Sequence, residues 1–195
     1  MEKNNRKYVL LAFIGTVASA PINATEWGIG FSTQSDEQTL YFPIKANDKL
    51  RIEPFLREKQ RTYTEKYYYH NGNNYSNPEH LKSTQKFFDI GVGVFGITNI
   101  EKKSQMYYGA RVSWQETKET YKSERFNNKS ESNGYTFSPT IGFEYMLTDN
   151  ILLGGEAEWV YHDISQSNNN INRSFERRDV QRSETNKRFI IRYIF

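Results

Sequence analysis

Eight segments of this chain alternate between apolar and polar side chains at every second residue, and this pattern constrains the fold more than any other feature. Alternation of this kind predicts β-strands that have one apolar and one polar face. The segments span residues 26–34, 39–45, 87–97, 105–115, 135–147, 151–162 and 188–195, and one more begins near residue 49. Runs of about 9–11 residues are long enough for tilted strands to cross a bilayer.

The connections between these segments differ in length. Those at 46–48, 98–103 and 148–150 are tight, the one near 35–37 is short, and those at 58–85, 116–134 and 165–184 are long and polar. If both termini are periplasmic, the tight turns face the periplasm and the long loops face outward, as in membrane barrels. Pro43, Pro54 and Pro139 lie in or near predicted strands, where we expect bulges or strand ends because proline lacks the ladder donor.

The N-terminus has the composition of a secretory signal peptide. Basic residues precede an apolar run at 8–14 and a stretch of small residues, and the run is too short to be a transmembrane helix. Pro21 would follow a cut after Ala20 and should block it, so we predict cleavage after Ala24. The predicted organisation is a signal peptide at 1–24 and one barrel domain at 25–195.

The last strand places Phe189, Ile191, Tyr193 and Phe195 on one face and Arg188 on the other. Soluble proteins seldom end on an exposed aromatic strand, because such an edge promotes aggregation. A soluble lipocalin-like barrel with its apolar face inside is the alternative fold, since alternation alone does not distinguish inside from outside. The terminal aromatic, the strand lengths and the turn asymmetry favour the membrane barrel.

In a barrel of eight strands the interior is just wide enough for side chains to fill it. The polar faces carry charges of both signs, which must pair when they are removed from water. The predicted interior network consists of Arg51, Glu53, Arg57, Asp89, Arg111, Glu144, Glu156, Glu158, Arg188 and Arg192. The apolar faces carry aromatic residues expected at the membrane interfaces, namely Trp27, Trp114, Trp159 and Tyr161. We therefore expect a plugged interior.

The sequence offers little for catalysis or cofactor binding. Cysteine is absent, which excludes disulfides, thiolate metal sites and cysteine nucleophiles. No metal-ligand spacing is present, and no basic cluster with stacking aromatics predicts nucleic-acid binding. His70 and His80 lie in a polar loop. His162 and Ser165 are three positions apart, so they face opposite sides of a strand and are badly placed for nucleophilic activation.

The stretches 137–145 (FSPTIGFEY), 147–150 (LTDN) and 151–159 (ILLGGEAEW) resemble the penultimate hairpin of small outer-membrane β-barrels, those of the OmpA transmembrane domain and OmpX/Ail type. Tyr193 and Phe195 resemble the signal read by the outer-membrane assembly machinery. The resemblance implies an all-β, eight-stranded antiparallel up-and-down transmembrane β-barrel in the outer membrane of a Gram-negative bacterium. It also implies contact with the lipid bilayer and lipopolysaccharide.

The function expected from these features is non-enzymatic: envelope structure, or surface contact such as adhesion through long extracellular loops. A narrow porin-like channel and a lipid A-modifying enzyme are the alternatives. Tyrosines 67–69 and the asparagines at 71–77 have the residue types that favour recognition of a host or surface ligand. The last loop holds arginines suited to lipopolysaccharide phosphates, namely Arg173, Arg177, Arg178 and Arg182.

Overall fold

The computed structural model describes the backbone of residues 26–34, 36–67, 70–71, 74–75, 79–122, 127–167 and 177–195. The strands are β1 (Glu26–Gln34), β2 (Glu37–Tyr41), β3 (Ile44–Asn47), β4 (Leu50–Tyr67), β5 (His70–Asn71), β6 (Asn74–Tyr75), β7 (Glu79–Glu101), β8 (Ser104–Lys122), β9 (Asn127–Met146), β10 (Ile151–Ser167) and β11 (Arg177–Ile194). The signal peptide predicted for 1–24 lies outside the described residues and stays a prediction.

One antiparallel sheet closes on itself to form the barrel. Each long strand pairs with the next along the chain, and β11 pairs with β1 to close the ring. The short strands β2 and β3 both pair with β1 and with β4, so together they make one of the eight barrel strands. The small β5–β6 pair is a separate sheet. The predicted eight-stranded antiparallel barrel is confirmed.

The register fixes how steeply the strands tilt. A row of paired residues starts at Phe31 and passes through Leu40, Leu56, Ile90, Trp114, Tyr135 and Asp163 to Gln181. Phe31 itself pairs with Ile191, ten residues further along the same strand. A stagger of this size in a barrel of eight strands corresponds to a tilt of roughly 35–45°.

The prolines interrupt hydrogen bonding without opening the barrel. Pro43 lies in the break between β2 and β3, as expected, and its carbonyl accepts a hydrogen bond of 2.9 Å from the Gly28 backbone. The expectation for Pro54 is wrong, because it lies inside β4 and the register between β4 and β7 runs through it unchanged. Its carbonyl accepts a hydrogen bond from the Phe42 backbone at 2.9 Å. The expectation for Pro139 is wrong, because it lies inside β9 and only local pairing with β10 is interrupted, with the register unchanged.

The strands at one end are longer than the sequence pattern indicates. We call the end with Glu26, Phe195 and the tight turns the termini end, and the opposite end the far end. Residues at 58–67, 79–85, 116–122 and 127–134 were predicted to be loop but continue β4, β7, β8 and β9. The alternation fades there because both faces are polar, while the backbone ladder continues.

The usual arrangement of a globular core is inverted in this barrel. Large apolar side chains such as Phe88, Val112 and Phe143 are exposed on the outside, whereas charged side chains fill the inside. Within the described residues, no helix is long and apolar enough to span a membrane. The outward apolar side chains form a continuous belt around the strands, which we call the apolar belt.

Candidate functional site

The barrel interior is filled by charged side chains contributed by strands all around the ring. The structure places all ten predicted network residues on the inner face, each at most 6% exposed: Arg51, Glu53, Arg57, Asp89, Arg111, Glu144, Glu156, Glu158, Arg188 and Arg192. A buried charge is strongly unfavourable unless it is paired and hydrogen-bonded. The contacts between these residues therefore decide what the interior can do.

Near the termini end, two arginines share two carboxylates. Arg51 Nη1 lies 2.9 Å from Glu144 Oε2, and Arg192 Nε donates to Glu53 Oε2 at 3.0 Å. Arg192 also contacts Glu144, which accepts a further hydrogen bond of 2.7 Å from Gln105 Nε2. Both carboxylates are thus paired with guanidinium groups from β4 and β11.

Arg111 is the hub of the network at mid-height. Its two terminal nitrogens donate to the two oxygens of Glu156 at 2.8 Å each, a bidentate pair. The same guanidinium donates to Glu53 at 2.8 Å and to Glu158 at 3.2 Å. Arg188 contacts Glu158 and lies 3.2 Å from Glu156. One arginine on β8 therefore joins carboxylates on β4 and β10 across the barrel.

Two members of the network were missed by the sequence analysis, Glu37 and Lys59. Glu37 lies 2.6 Å from Arg188 Nη2 and 3.4 Å from Arg57 Nε, and Lys59 Nζ lies 3.7 Å from its carboxylate. Arg57 also lies 3.5 Å from Asp89. The sequence pattern could have revealed both residues, because every second residue of a strand faces inward. The next inward position before Thr39 on β2 is Glu37, and the next after Arg57 on β4 is Lys59.

Aromatic rings separate the guanidinium groups inside the barrel. The Arg51 guanidinium carbon lies 4.3 Å from the Tyr107 ring centroid, and that of Arg111 lies 4.9 Å from Phe95 and 5.1 Å from Tyr41. Cation–π contact stabilises arginine where water is excluded. The interior is therefore packed by stacked rings and ion pairs together.

An inward glycine leaves the space for one of these rings. A Cβ atom at Gly142 would lie 2.1 Å from Cζ of Tyr107. The Tyr107 hydroxyl uses that space to donate to Glu156 at 2.9 Å. The absence of a side chain on β9 thus positions a hydrogen-bond donor from β8 against the central carboxylates.

Above the network, a small polar cavity of about 60 Å³ opens toward the far end. His162 borders it, with Nδ1 3.2 Å from Gln115 Oε1 and Nε2 3.8 Å from Glu184 Oε1. Lys59 Nζ lies 3.5 Å from the same Glu184 oxygen. Both ring nitrogens of His162 therefore face polar partners, while the side chain of Ser165 lies outside the described part.

Residues nearer the far end extend the polar lining of this cavity further outward. Gln85 donates to the Glu119 carboxylate at 2.5 Å, and Ser83 lies 3.4 Å from it. Burial and the hydrogen bond to Glu119 raise the pKa of Tyr121 to about 12. In the described part of the chain, no group of three histidine or carboxylate side chains is placed to hold a metal ion.

Three of the four predicted interface aromatics are well exposed on the outer face. Trp27 is 58% exposed, Trp159 is 45% and Tyr161 is 53%. Trp114 faces outward by register but is only 8% exposed, and it is flanked by Ile90 and Tyr135 on the adjacent strands. Trp27 lies near the termini end, and the other three lie toward the far end.

The barrel seam is closed at the termini end by an aromatic stack. The rings of Trp27 and Phe195 stack with centroids 4.1 Å apart, and the Phe195 backbone N–H donates to the Trp27 carbonyl at 2.8 Å. Tyr193 packs edge-on against Phe195 at 5.0 Å. Their role as an assembly signal stays a prediction, while the structure shows that Phe195 contributes to closure.

Several residues proposed for recognition lie outside the described part. This holds for Tyr68, Tyr69, Asn73, Asn77 and Arg173, and for the side chains of Tyr67, Asn71, Asn74, Tyr75, Arg177, Arg178 and Arg182. The side chains of the two loop histidines, His70 and His80, also lie outside the described part. The backbone of 177–182 belongs to β11, so three of the four arginines assigned to the last loop are in a strand.

No family model and no curated protein matches this sequence. The structure is similar to that of a major outer membrane protein from Thermus thermophilus, with a TM-score of 0.61 and 10% identity over 87% of this chain and 99% of the other. For neisserial surface protein A the TM-score is 0.51, and the sequence identity is 13% over 87% of this chain and 94% of the other. For Ail of Yersinia pestis the TM-score is 0.49, and the sequence identity is 9% over 87% of this chain and 94% of the other.

The fold is that of small outer-membrane β-barrels. Sequence identities this low show the fold alone. The apolar belt is separate evidence that the barrel lies in a membrane, because an exposed apolar surface of this kind must be surrounded by lipid. The chain is accordingly a membrane β-barrel with the fold of small outer-membrane proteins, as the sequence predicted. What it does in that membrane depends on its interior and its far end.

Proposed function

We propose that this protein is a non-enzymatic outer-membrane barrel that is closed to solutes and makes contacts at the cell surface through its far end. The observation that carries the proposal is the position of Arg111. Its guanidinium reaches from β8 to Glu53 on β4 and to Glu156 on β10, so its ion pairs cross the lumen. A solute could pass only by breaking buried ion pairs, and that is costly.

The length of the strands supports a role beyond the membrane. On β8, eight residues separate Trp114 from Lys122, which corresponds to roughly 20 Å along the barrel axis at the usual rise and tilt. The ladders joining β4, β7, β8, β9, β10 and β11 continue through this region. We infer a rigid platform that presents its hairpins to lipopolysaccharide and to a host or surface ligand.

The chemistry of the mouth supports a non-enzymatic role. His162 faces Gln115 and Glu184, and neither partner carries a hydroxyl or thiol that the imidazole could activate by removing its proton. Mass spectrometry of lipid A from cells expressing the protein tests this directly. We expect an unchanged acylation pattern, and acyl loss that disappears in His162→Ala would favour the lipid-modifying alternative.

The decisive experiment for a closed interior is single-channel recording in planar bilayers. We expect no large, steady conductance from the wild-type barrel, and we expect openings in Arg111→Ala if that variant assembles. Steady conductance from the wild type would support the narrow channel instead. A deletion strain assayed for envelope integrity and adhesion, with complementation by the wild-type chain, tests the surface role separately.

A further inference from the structure

We propose that the outer wall of β7 and β8, just beyond the apolar belt, binds the phosphate groups of lipopolysaccharide. The site consists of four exposed lysines, Lys82 and Lys86 on β7 with Lys118 and Lys122 on β8, which we call the lysine face. The inference rests on the proposed function only in that the far end points outward from the cell.

The register brings the lysines together in like-charged pairs. Lys86 lies directly opposite Lys118, and Lys82 lies directly opposite Lys122. Directly opposed side chains in antiparallel strands have Cβ atoms about 4.5–5.5 Å apart, and like charges at this distance destabilise the pairing. Two such pairs on the same face of the same two strands are unfavourable for the barrel alone.

Outward carboxylates offset this repulsion at the lower pair, where Glu131 on β9 lies directly opposite Lys118 and Glu58 on β4 lies diagonally next to Lys86. Lys118 Nζ lies 3.2 Å from Glu116 Oε1 on its own strand. Among the described residues, Lys82, Lys86 and Lys122 have no ion pair, and Lys129 on β9 adds a further exposed positive charge next to Thr120. An anion held between the opposed ammonium groups would turn each repulsive pair into a charge-assisted contact.

The height of the lysine face selects the anion. Lys118 lies four residues beyond Trp114 on β8, which is roughly 10 Å along the barrel axis, and Lys122 is roughly 20 Å beyond it. Apolar side chains below Trp114, such as Val112 and Tyr108, lie in the lipid belt. The lower pair therefore stands beside the headgroups of the outer leaflet, and the upper pair beside the sugars above them.

The direction of the side chains agrees with a lipid ligand. The lysines project sideways from the barrel wall, on the same face as Phe88 and Val112, toward neighbouring molecules of the leaflet. Phosphorylated glycolipid of the outer leaflet has dianionic groups at this depth. We assign the lower pair to the lipid A phosphates and the upper pair to phosphates of the core sugars.

Binding can be measured by native mass spectrometry of the folded protein in detergent, with lipid A carrying both phosphates as the probe. We expect the combined variant K82Q/K86Q/K118Q/K122Q to bind about tenfold more weakly than the wild type, as expected when charge-assisted contacts are lost. Removing the phosphates from lipid A should weaken its binding to the wild type at least as much as the fourfold substitution weakens binding of phosphorylated lipid A. The matched control is K102Q/K103Q, which changes two exposed lysines at the termini end.

Thermal unfolding gives a readout that a purely structural role would not produce. Without lipopolysaccharide, K82Q/K122Q, which changes the pair that has no ion-pair partner among the described residues, should unfold at the same temperature as the wild type or higher, because repulsion is removed. With lipopolysaccharide added, the wild type should be stabilised and the variant should not. A lower unfolding temperature without ligand would overturn the assignment of these lysines as a repulsive pair that an anion stabilises.

Three further results would overturn the proposal: unchanged lipid A binding in the fourfold variant, equal loss in K102Q/K103Q, or lysine-dependent binding of a soluble heparin oligosaccharide without lysine-dependent lipid A binding. The last result would assign the face to an extracellular polyanion instead.

Lysine biotinylation in intact cells reports the orientation of the far end independently. Labelling of Lys102 and Lys103 instead of the lysine face would contradict the proposed function itself.

Discussion

Arg111 is the residue whose replacement should destabilise the barrel most. Its guanidinium neutralises carboxylates from Glu53, Glu156 and Glu158, each of which is 5% exposed or less. In Arg111→Met the side-chain volume is similar, but three buried carboxylates lose their shared partner. We expect a loss of about 3–5 kcal/mol in unfolding free energy, the range for breaking buried ion pairs. Urea unfolding in detergent, followed by tryptophan fluorescence, measures it.

The matched control is Arg61→Gln at the rim. Arg61 Nε lies 2.5 Å from Asp36 Oδ2, but both side chains are about one quarter exposed. Pairs in contact with water contribute about 0.2–1 kcal/mol, so this variant should unfold almost as the wild type does. Equal effects of the two substitutions would contradict the central role of the interior network.

The alternation of side chains between the two faces of each strand explains why the ten interior charges were predictable from the sequence. The ladder keeps every second residue on one face, so Arg188 and Arg192 on β11 must face inward if Phe189 and Ile191 face lipid. The partners were not predictable, because contacts such as Arg188 with Glu37 join residues 151 positions apart. Such contacts depend on the stagger of the closed barrel, which no local pattern encodes.

At the scale of paired strands, Gly142 on β9 sets the packing against β8. In Gly142→Ala the new methyl group would lie within 2.5 Å of the Tyr107 ring and hydroxyl, so the ring must move away from Glu156. We expect a loss of about 1–3 kcal/mol, typical of overpacking. Chemical denaturation measures the change.

The control for this substitution is Gly155→Ala on β10. Gly155 faces outward, and a Cβ there would come no closer than 3.6 Å to another atom, the Arg188 carbonyl oxygen. We expect little change in stability from this variant. If Gly155→Ala is as destabilising as Gly142→Ala, the effect belongs to strand propensity and not to the fit of Tyr107.

The seam between β11 and β1 depends on Phe195. In Phe195→Ala the stack on Trp27 is lost, which should cost about 0.5–1.5 kcal/mol beyond the lost apolar area. The folded fraction in the outer membrane should fall, as measured by heat-modifiable gel mobility. Phe189→Ala is the control, because Phe189 is exposed on the same face of β11 but belongs to neither the seam stack nor the chain end. Equal losses in both variants would argue against a special role of the terminus.

The ends of the strands were the part of the fold that sequence pattern located least well. Beyond Gln115 on β8, residues such as Thr117, Lys118 and Glu119 are polar on both faces, so apolar alternation ceases. The ladder nevertheless continues, since β8 pairs with β9 as far as Lys122. Pairing in this region depends on backbone hydrogen bonds between neighbours that are already aligned by the membrane-spanning part.

On the scale of the whole molecule, the barrel divides into two structural levels. The apolar belt, the seam and the network around Arg111 lie in the membrane-spanning part, and the extended hairpins lie beyond it. Contacts that stabilise the lower part do not depend on the hairpin tips. Assembly should therefore be separable from surface function, and trimming one hairpin tests this.

The β4–β7 hairpin can be shortened at the paired residues Thr62 and Thr84 by removing residues 63–83 and inserting an Asn-Gly turn. Every network residue remains, so the trimmed chain should assemble and show heat-modifiable mobility like the wild type. Adhesion or serum survival carried by that hairpin should be lost. A second trimmed chain, in which the same Asn-Gly turn joins Glu119 to Ser130 on the β8–β9 hairpin, is the matched comparison. Failure of both trimmed chains to insert would show that the far end is needed for folding, contrary to the division into two levels.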